Sequence, residues 1–373
     1  MTTTSPPRSD MLVPCPTFTA ELAGIAANVT TVRTFTDAEV MAVVKADAFG
    51  HGQLYVACAA LHAGATWLGV TDIADGRRLR HAGIDAPILA WLHPSGIDVS
   101  AAVQGKVDVA VGSIEELADL VHRAIAPVRV HLNVDAGIAR GGVPRHDWPA
   151  LKRIARRGVR LGRIEVVGLM GHLPDADRAD PKLNEGGVRR LSEAERMMGD
   201  EFGPLIRHLA STAATLTDPA SHFDLVRIGA GLVGIDPSGT VPLRGAAWLS
   251  APIVHSCTAR PGTRVGYGGS YVTRCDTHLA VIGLGYADGI PRALSTAASV
   301  LIGDQRHPIV GKVSMDQIVV DTGQMAYPRG TVATIFGPEG TGAPTIAEWA
   351  EWAGTIPHVI VSGIGPRVRK VHR

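Results

Sequence analysis

Lys45 ends an apolar run, Val40 to Val44, and is followed by Gly50 and Gly52 and then by a helix-like segment, Gln53 to Ala63. That pattern places it where a buried strand gives way to a loop. Desolvation at such a position disfavours the ammonium form and supplies a neutral amine that can condense with an aldehyde. The alternative is a lysine whose stem packs while its head reaches solvent. Arg227 interrupts the apolar run of Val226-Arg227-Ile228, and His172 closes the run Gly168-Leu169-Met170-Gly171. Two short segments, Ser211-Thr212-Ala213 and Gly229-Ala230-Gly231, combine small residues, free backbone N–H groups and a hydroxyl, which suits a phosphate cradle. Tyr267 stands between glycines, as either a turn aromatic or a proton carrier.

The elements that must position these groups are short β-branched runs alternating with helical stretches. Strands are expected over 41–44, 67–70, 88–91, 107–111, 128–134, 164–170, 205–209 and 225–228. Segments such as 73–82, 114–123, 148–157 and 187–198 are long enough for crossover helices. Eight strand-and-helix units predict a closed (β/α)8 TIM-type barrel, because parallel strands need helical crossovers and eight of them remove the sheet edges. Lys45 then follows the first barrel strand, His172 the sixth, and the two small-residue segments the seventh and eighth, where barrels commonly bind phosphate. After Gly234 the pattern changes to strand-like runs separated by Gly, Pro and Asp, with one helical insert over 346–353. The expected organisation is a loose tail over 1–10, a barrel over 11–236 and a mainly β domain over 237–373. A short strand near Thr17 precedes the first helix and is free to join the second domain in space.

The string AVVKADAFGHG, residues 42–52, closely resembles the lysine motif of the bacterial alanine racemases, which depend on pyridoxal 5'-phosphate (PLP). The resemblance implies that Lys45 is the residue bonded to PLP. VRIGAG around Arg227 is similar to a racemase string whose arginine faces the pyridine nitrogen, and His172 would lie beside that ring. The joint placement of the two small-residue segments, opposite Lys45, points to a PLP phosphate site at Ser211, Thr212, Gly229 and Ala230. NVDAGIARGG resembles the element in which an arginine, here Arg140, holds the substrate carboxylate, a task suited to its planar donor fork. RVGYG resembles the element carrying a second acid/base tyrosine, here Tyr267, contributed by the partner in a head-to-tail homodimer with shared active sites. GLGYADG, with Tyr286, and GKVSMDQ, with Met315 and Asp316, are similar to the family's strings at the active-site mouth and near the substrate carboxylate. The likeness runs over nearly all of residues 11–373 in the same order.

It implies a two-base amino-acid racemase most suited to alanine, with racemisation of another small amino acid such as serine, or PLP binding without turnover, as alternatives. Several positions depart from the family. Phe49 and Pro366 stand where phosphate-contacting tyrosines are common, Ser211-Thr212 replaces Asn-Ser, and Asn133 stands where some members carry a carbamylated lysine.

The whole chain bounds the remaining possibilities. Its 373 residues are 46% hydrophobic and carry a formal net charge of +1, which gives no reason to expect nucleic acid or an anionic membrane as partner. The first residues lack the apolar core of a signal peptide, and no run reaches the length of a spanning helix. Cys15, Cys58, Cys257 and Cys275 show neither CxxC pairing nor metal-ligand spacing, so the sequence predicts a cytoplasmic protein with reduced thiols and no metal.

Overall fold

The computed structural model describes residues 14–373, so the expected tail over 1–10 lies outside the described residues. The chain divides into two compact units, one built from Ala20–Ala246 with His372–Arg373 and the other from the N-terminal segment through Thr19 with Ala247–Val371.

The first strand, β1 (Thr17–Ala20), belongs to the antiparallel sheet of the second unit. The barrel strands follow as β2 (Glu39–Val43), β3 (Trp67–Val70), β4 (Ile88–Ala90), β5 (Val107–Val111), β6 (Val128–Asn133), β7 (Ile164–Met170), β8 (Ile206–His208) and β9 (Leu225–Ile228). They form one parallel sheet in the order β8-β7-β6-β5-β4-β3-β2-β9, and eight right-length apolar runs joined by helices leave this as the economical way to bury both faces. Backbone bonds from Asp224 to Arg207 (3.0 Å) and from Arg227 to Ala210 (3.0 Å) tie β9 back to the β8 segment and close the barrel. Met41, Val43, Trp67, Leu89, Ala110, Met170 and Leu225 pack as its apolar interior.

Asp236-Pro237-Ser238-Gly239, the expected boundary, is a turn inside the barrel unit. The Asp236 carboxylate accepts from the N–H groups of Ser238 (2.9 Å), Thr240 (2.8 Å) and Val241 (3.0 Å), and the units change only at Ala246–Ala247.

The second unit is mainly antiparallel. Its strands are β10 (Ala247–Ala259), β11 (Arg264–Val265), β12 (Tyr271–Val272), β13 (Thr277–Ile282), β14 (Ser299–Ile302), β15 (Gln305–Val310), β16 (Ile318–Gly323), β17 (Val332–Phe336) and β18 (Arg369–His372). The sheet order is β13-β16-β15-β14-β17-β10-β1-β18, and β10 pairs with β17 along one half and with β13 along the other, so one long strand serves both ends. The strand-like run over 264–274 forms two short strands, β11 and β12. Gly266 (φ 70°), Gly268 (φ 74°) and Gly269 (φ 57°) fold the chain into a tight turn that presents Tyr267.

Candidate active site

Lys45 leaves the end of β2 through Val44 and enters a turn of unusual hand. Ala46, Asp47, Ala48 and Phe49 all have φ between 52° and 56° in the left-handed region. For residues with a Cβ that region costs about 1–2 kcal/mol each, so the turn must be held from several sides. The Ala48 N–H donates to the Val44 carbonyl (3.0 Å), Gly50 N–H to Ala46 (3.0 Å) and Gly52 N–H to Asp47 (2.9 Å). The Asp47 carboxylate accepts from the Gln53 N–H (2.8 Å) and the Gln53 amide donates to the Val44 carbonyl (3.1 Å), pinning both ends to the following helix.

Lys45 is half-buried, and its amine lies 5.9 Å from the centroid of the Trp91 ring. Its pKa is lowered by desolvation first, then by the positive charges of Arg140 and Arg227. All three effects favour the neutral amine, as expected for a nucleophile and proton carrier.

Arg227, only 6% exposed, is the centre of the barrel-side cluster. One terminal nitrogen donates to Nδ1 of His208 (3.0 Å), and the other to the carbonyls of Gly171 (2.7 Å) and Leu209 (3.1 Å) and to Nδ1 of His172 (3.3 Å). Burial, with Arg140 as second cause, lowers its pKa to about 10, which leaves it a cation at neutral pH. Among the described residues no acceptor meets its Nε. His172 is pushed down to about 3 by desolvation and by the charges of Arg227, Arg140 and Lys45, so its imidazole is neutral.

Behind Arg227 lies a polar file that the sequence reading did not single out. A guanidinium only donates, so His208 accepts at Nδ1 and carries its proton on Nε2. That Nε2 sits 2.9 Å from Nδ1 of His131, which must therefore accept and carry its own proton on Nε2. The His131 Nε2 lies 3.4 Å from the buried Asp108 carboxylate, too oblique for an aligned hydrogen bond but within ion-pair range. Arg129 holds the same carboxylate at 3.0 Å. Both histidines are fully buried. A signal existed for Asp108, a charge inside the otherwise apolar run Val107–Val111, which is buried on both faces, where alternation gives no reason for it.

The small-residue segments meet as expected, but their donors are partly used. Thr212 Oγ1 accepts from the N–H groups of Gly229 (3.2 Å) and Gly231 (3.1 Å), tying the two segments together. Gly231 has no room for a side chain, since a Cβ would come 2.8 Å from the Thr212 methyl carbon. Among the described residues no acceptor meets the Ala230 N–H and no partner meets the Ser211 hydroxyl, and the Thr212 hydroxyl retains its own hydrogen to donate. Phe49 points its para carbon at this seat, 3.0 Å from where a Cβ of Gly229 would stand. An aldehyde-condensing amine, an unused guanidinium N–H and a hydroxyl-rich seat together match the functional groups of PLP.

The second unit carries its own group. The Tyr286 N–H donates to the Ser314 carbonyl (3.0 Å) and the Ala287 N–H to the Met315 carbonyl (2.9 Å), so the two sequence strings dock against each other. Arg367, not anticipated from sequence, clasps Asp288 (2.9 Å) and Asp316 (2.7 Å) and neutralises the latter. Tyr267 is 68% exposed, and among the described residues its hydroxyl has no partner. The barrel thus gathers Lys45, Arg140, His172, Arg227, Ser211, Thr212, Gly229 and Ala230, while Tyr286, Met315 and Asp316 gather on the β unit. No group of three or more His, Cys, Asp or Glu side chains arranged to hold a metal occurs among the described residues.

An eight-stranded parallel barrel with a partly buried lysine after its first strand, joined in one chain to an antiparallel β unit, is the architecture of a two-domain barrel enzyme. The chain belongs to the alanine racemase family: residues 21–237 match the alanine racemase N-terminal domain and residues 246–372 the C-terminal domain. It is 43% identical over 343 residues to the alanine racemase of Thermobifida fusca, covering 90% of this chain and 91% of that protein. Among solved structures it resembles the alanine racemase of Streptomyces coelicolor A3(2), with 37% identity, a TM-score of 0.91 and coverage of 96% and 98% of the two chains. It also resembles that of Bartonella henselae with covalently bound pyridoxal phosphate, at 26% identity, TM-score 0.83 and 96% and 99% coverage.

Proposed function

We propose that this protein interconverts L- and D-alanine with pyridoxal 5'-phosphate, using Lys45 as proton carrier on one face of the substrate and Tyr267 of a second copy on the other. The observation that carries the reading is the environment of Lys45: burial and two nearby guanidinium groups lower the pKa of its amine at a strand end, which favours the neutral form a nucleophile and proton carrier needs. When bound, PLP supplies a conjugated ring that delocalises negative charge developing at the substrate α-carbon.

This chain's residues do the rest. Ser211, Thr212, Gly229 and Ala230 would hold the phosphate. Arg227 would meet the ring nitrogen through its unused Nε, donating a hydrogen bond without surrendering its proton. Neutral His172, hydrogen-bonded to Arg227, fixes the guanidinium from one side and adds no further positive charge. Arg140 would clamp the substrate carboxylate, with Met315, Asp316 and Tyr286 of the second copy shaping its other side. Inverting a stereocentre takes one proton carrier per face, so Lys45 and Tyr267 exchange the roles of acid and base with the enantiomer bound.

An exposed tyrosine whose hydroxyl has no partner among the described residues is what a homodimer with shared active sites requires. Four free thiols fit a reducing cytoplasmic setting, and the role proposed is D-alanine supply. No helix among the described residues is long and apolar enough to cross a membrane, and neither a membrane nor nucleic acid is invoked as partner.

The test is incubation of the purified protein with L-alanine and PLP in deuterium oxide. D-alanine carrying α-deuterium is expected, and the absence of both products rejects the proposal. Lys45→Ala should also abolish the absorbance near 420 nm (about where PLP bonded to lysine absorbs), and retention of that band would show that another residue holds the cofactor.

A further inference from the structure

We propose that His372 is a positioning residue for Lys45, clamping the left-handed turn through the carbonyl of His51. The inference rests on the reading of Lys45 as the reactive amine. It begins from Gly50-His51-Gly52, the end of the lysine string.

His372 and Arg373 fold within the barrel unit. The imidazole of His372 lies flat on the Tyr55 ring, with centroids 3.9 Å apart and planes inclined by 17°. Its Nε2 is 2.9 Å from the His51 carbonyl oxygen, and because a carbonyl only accepts, that nitrogen carries the hydrogen. Gly52 (φ 93°) makes the approach possible: a Cβ there would stand 2.2 Å from the same Nε2. His372 is itself held in place, since the next residue, Arg373, donates to the Ala20 carbonyl (3.0 Å) and its own carbonyl accepts from the Leu22 N–H (2.6 Å).

The contact transmits to the lysine along a short path. His51 is buried and its Nδ1 donates to the Phe49 carbonyl (2.9 Å), the last residue of the left-handed turn. Its backbone N–H donates to the Ala48 carbonyl (3.1 Å). His372 therefore fixes a residue bonded twice into the turn, and the turn begins at the peptide that follows Lys45. Four successive residues in a disfavoured region persist only where the surroundings over-determine them. His372 adds a tie from a distant part of the sequence to those that Asp47, within the turn, and Gln53, on the helix that follows, make with each other and with Val44. A side chain that merely filled a surface hollow would need the stacking on Tyr55 alone, without the donor.

The test separates stacking from donation. His372→Phe keeps the aromatic stack and loses the donor, His372→Gln keeps a donor and loses the stack, and His372→Ala loses both. In cofactor-free protein the first readout is hydrogen exchange at the amides of Ala48 and of Gly50 to Gln53. The second is the pH dependence of Lys45 acetylation by acetic anhydride, followed by mass spectrometry. His372→Ala and His372→Phe should exchange these amides faster by about tenfold, the loss of one net hydrogen bond. In both, the acetylation profile of Lys45 should move toward that of an ordinary lysine, whereas His372→Gln stays near wild type and exchange elsewhere in the barrel is unchanged.

Unchanged exchange in His372→Ala, or a His372→Phe protein that behaves like wild type, overturns the proposal. If His372→Ala fails to fold, the Phe and Gln pair decides. Both readouts are taken without cofactor or alanine, so failure of the racemase reading would appear in the wild-type turnover assay and leave this comparison intact.

Discussion

His172 ties the chemistry of the site to the stability of the fold, and acid exposes the link. Its pKa is lowered from 6.5 to about 3, by burial first and then by Arg227, Arg140 and Lys45. In the unfolded chain the imidazole titrates near its ordinary value, so the unfolded state binds a proton that the folded state refuses. The stability this represents is fully present above the unfolded pKa and is lost as pH falls from there toward 3. At about 1.4 kcal/mol per unit, roughly 3 kcal/mol should be gone by about pH 4.5 and about 4 kcal/mol by about pH 3. Against a typical total of about 5–15 kcal/mol that is a large fraction. Buried His208, whose pKa is also lowered, works in the same direction.

The assay is urea unfolding of the cofactor-free protein at one concentration from about pH 7.5 to about pH 4.5, comparing wild type with His172→Gln, which can still accept from Arg227 but does not titrate. Wild type should lose about 2–3 kcal/mol more than the variant over that interval. Equal losses would show that His172 is protonated without penalty in the folded state, and the neutral imidazole in the mechanism would fall with it.

Three further expectations follow from the same geometry. Thr212→Val removes the oxygen that accepts from Gly229 and Gly231, and leaving two buried N–H groups unpaired should cost about 1–3 kcal/mol each. Urea unfolding measures that cost, and PLP titration should show weaker binding alongside it. Long-range proton–nitrogen NMR of histidine-labelled protein should find His131 and His208 both protonated on Nε2, and a proton on Nδ1 of His208 would contradict the direction of donation from Arg227. Gly285→Ala would bring a Cβ within 2.4 Å of the Ser314 and Met315 carbonyl oxygens and separate the two docked strings; KM for alanine should rise by about tenfold or more if they shape the substrate side, and an unchanged KM would remove Tyr286 and Met315 from it.

The barrel was legible because its strands are apolar runs of the right length between helical stretches. The observed β3, β5, β7 and β9 coincide with the expected ranges, and the others differ only at their ends. Lys45 and Arg227 were legible for a related reason, each being a charge set in a run that otherwise has none. What escaped is what periodicity cannot encode. Nothing in Ala46-Asp47-Ala48-Phe49 announces a change of hand, because alternation reports which face a side chain takes and not the sign of φ. The run over 264–274 has strand-like composition, yet its glycines at 266, 268 and 269 adopt positive φ and break it around Tyr267. β18 was missed because Arg369, Lys370 and His372 leave a single apolar residue, and its docking depends on tertiary contacts. Asp108, His131 and His208 were read as part of their strands, since only the folded barrel brings them into line with Arg227.

The turn after Lys45 follows the mirror image of the path that L-residues prefer. At Ala46 and Ala48 the crowding comes from a methyl group on the wrong side of the α-carbon, and reversing that one stereocentre would remove it. The D-form of alanine, the compound this protein is proposed to make, is thus a better building block for the segment that carries its lysine than the L-form the ribosome must use there.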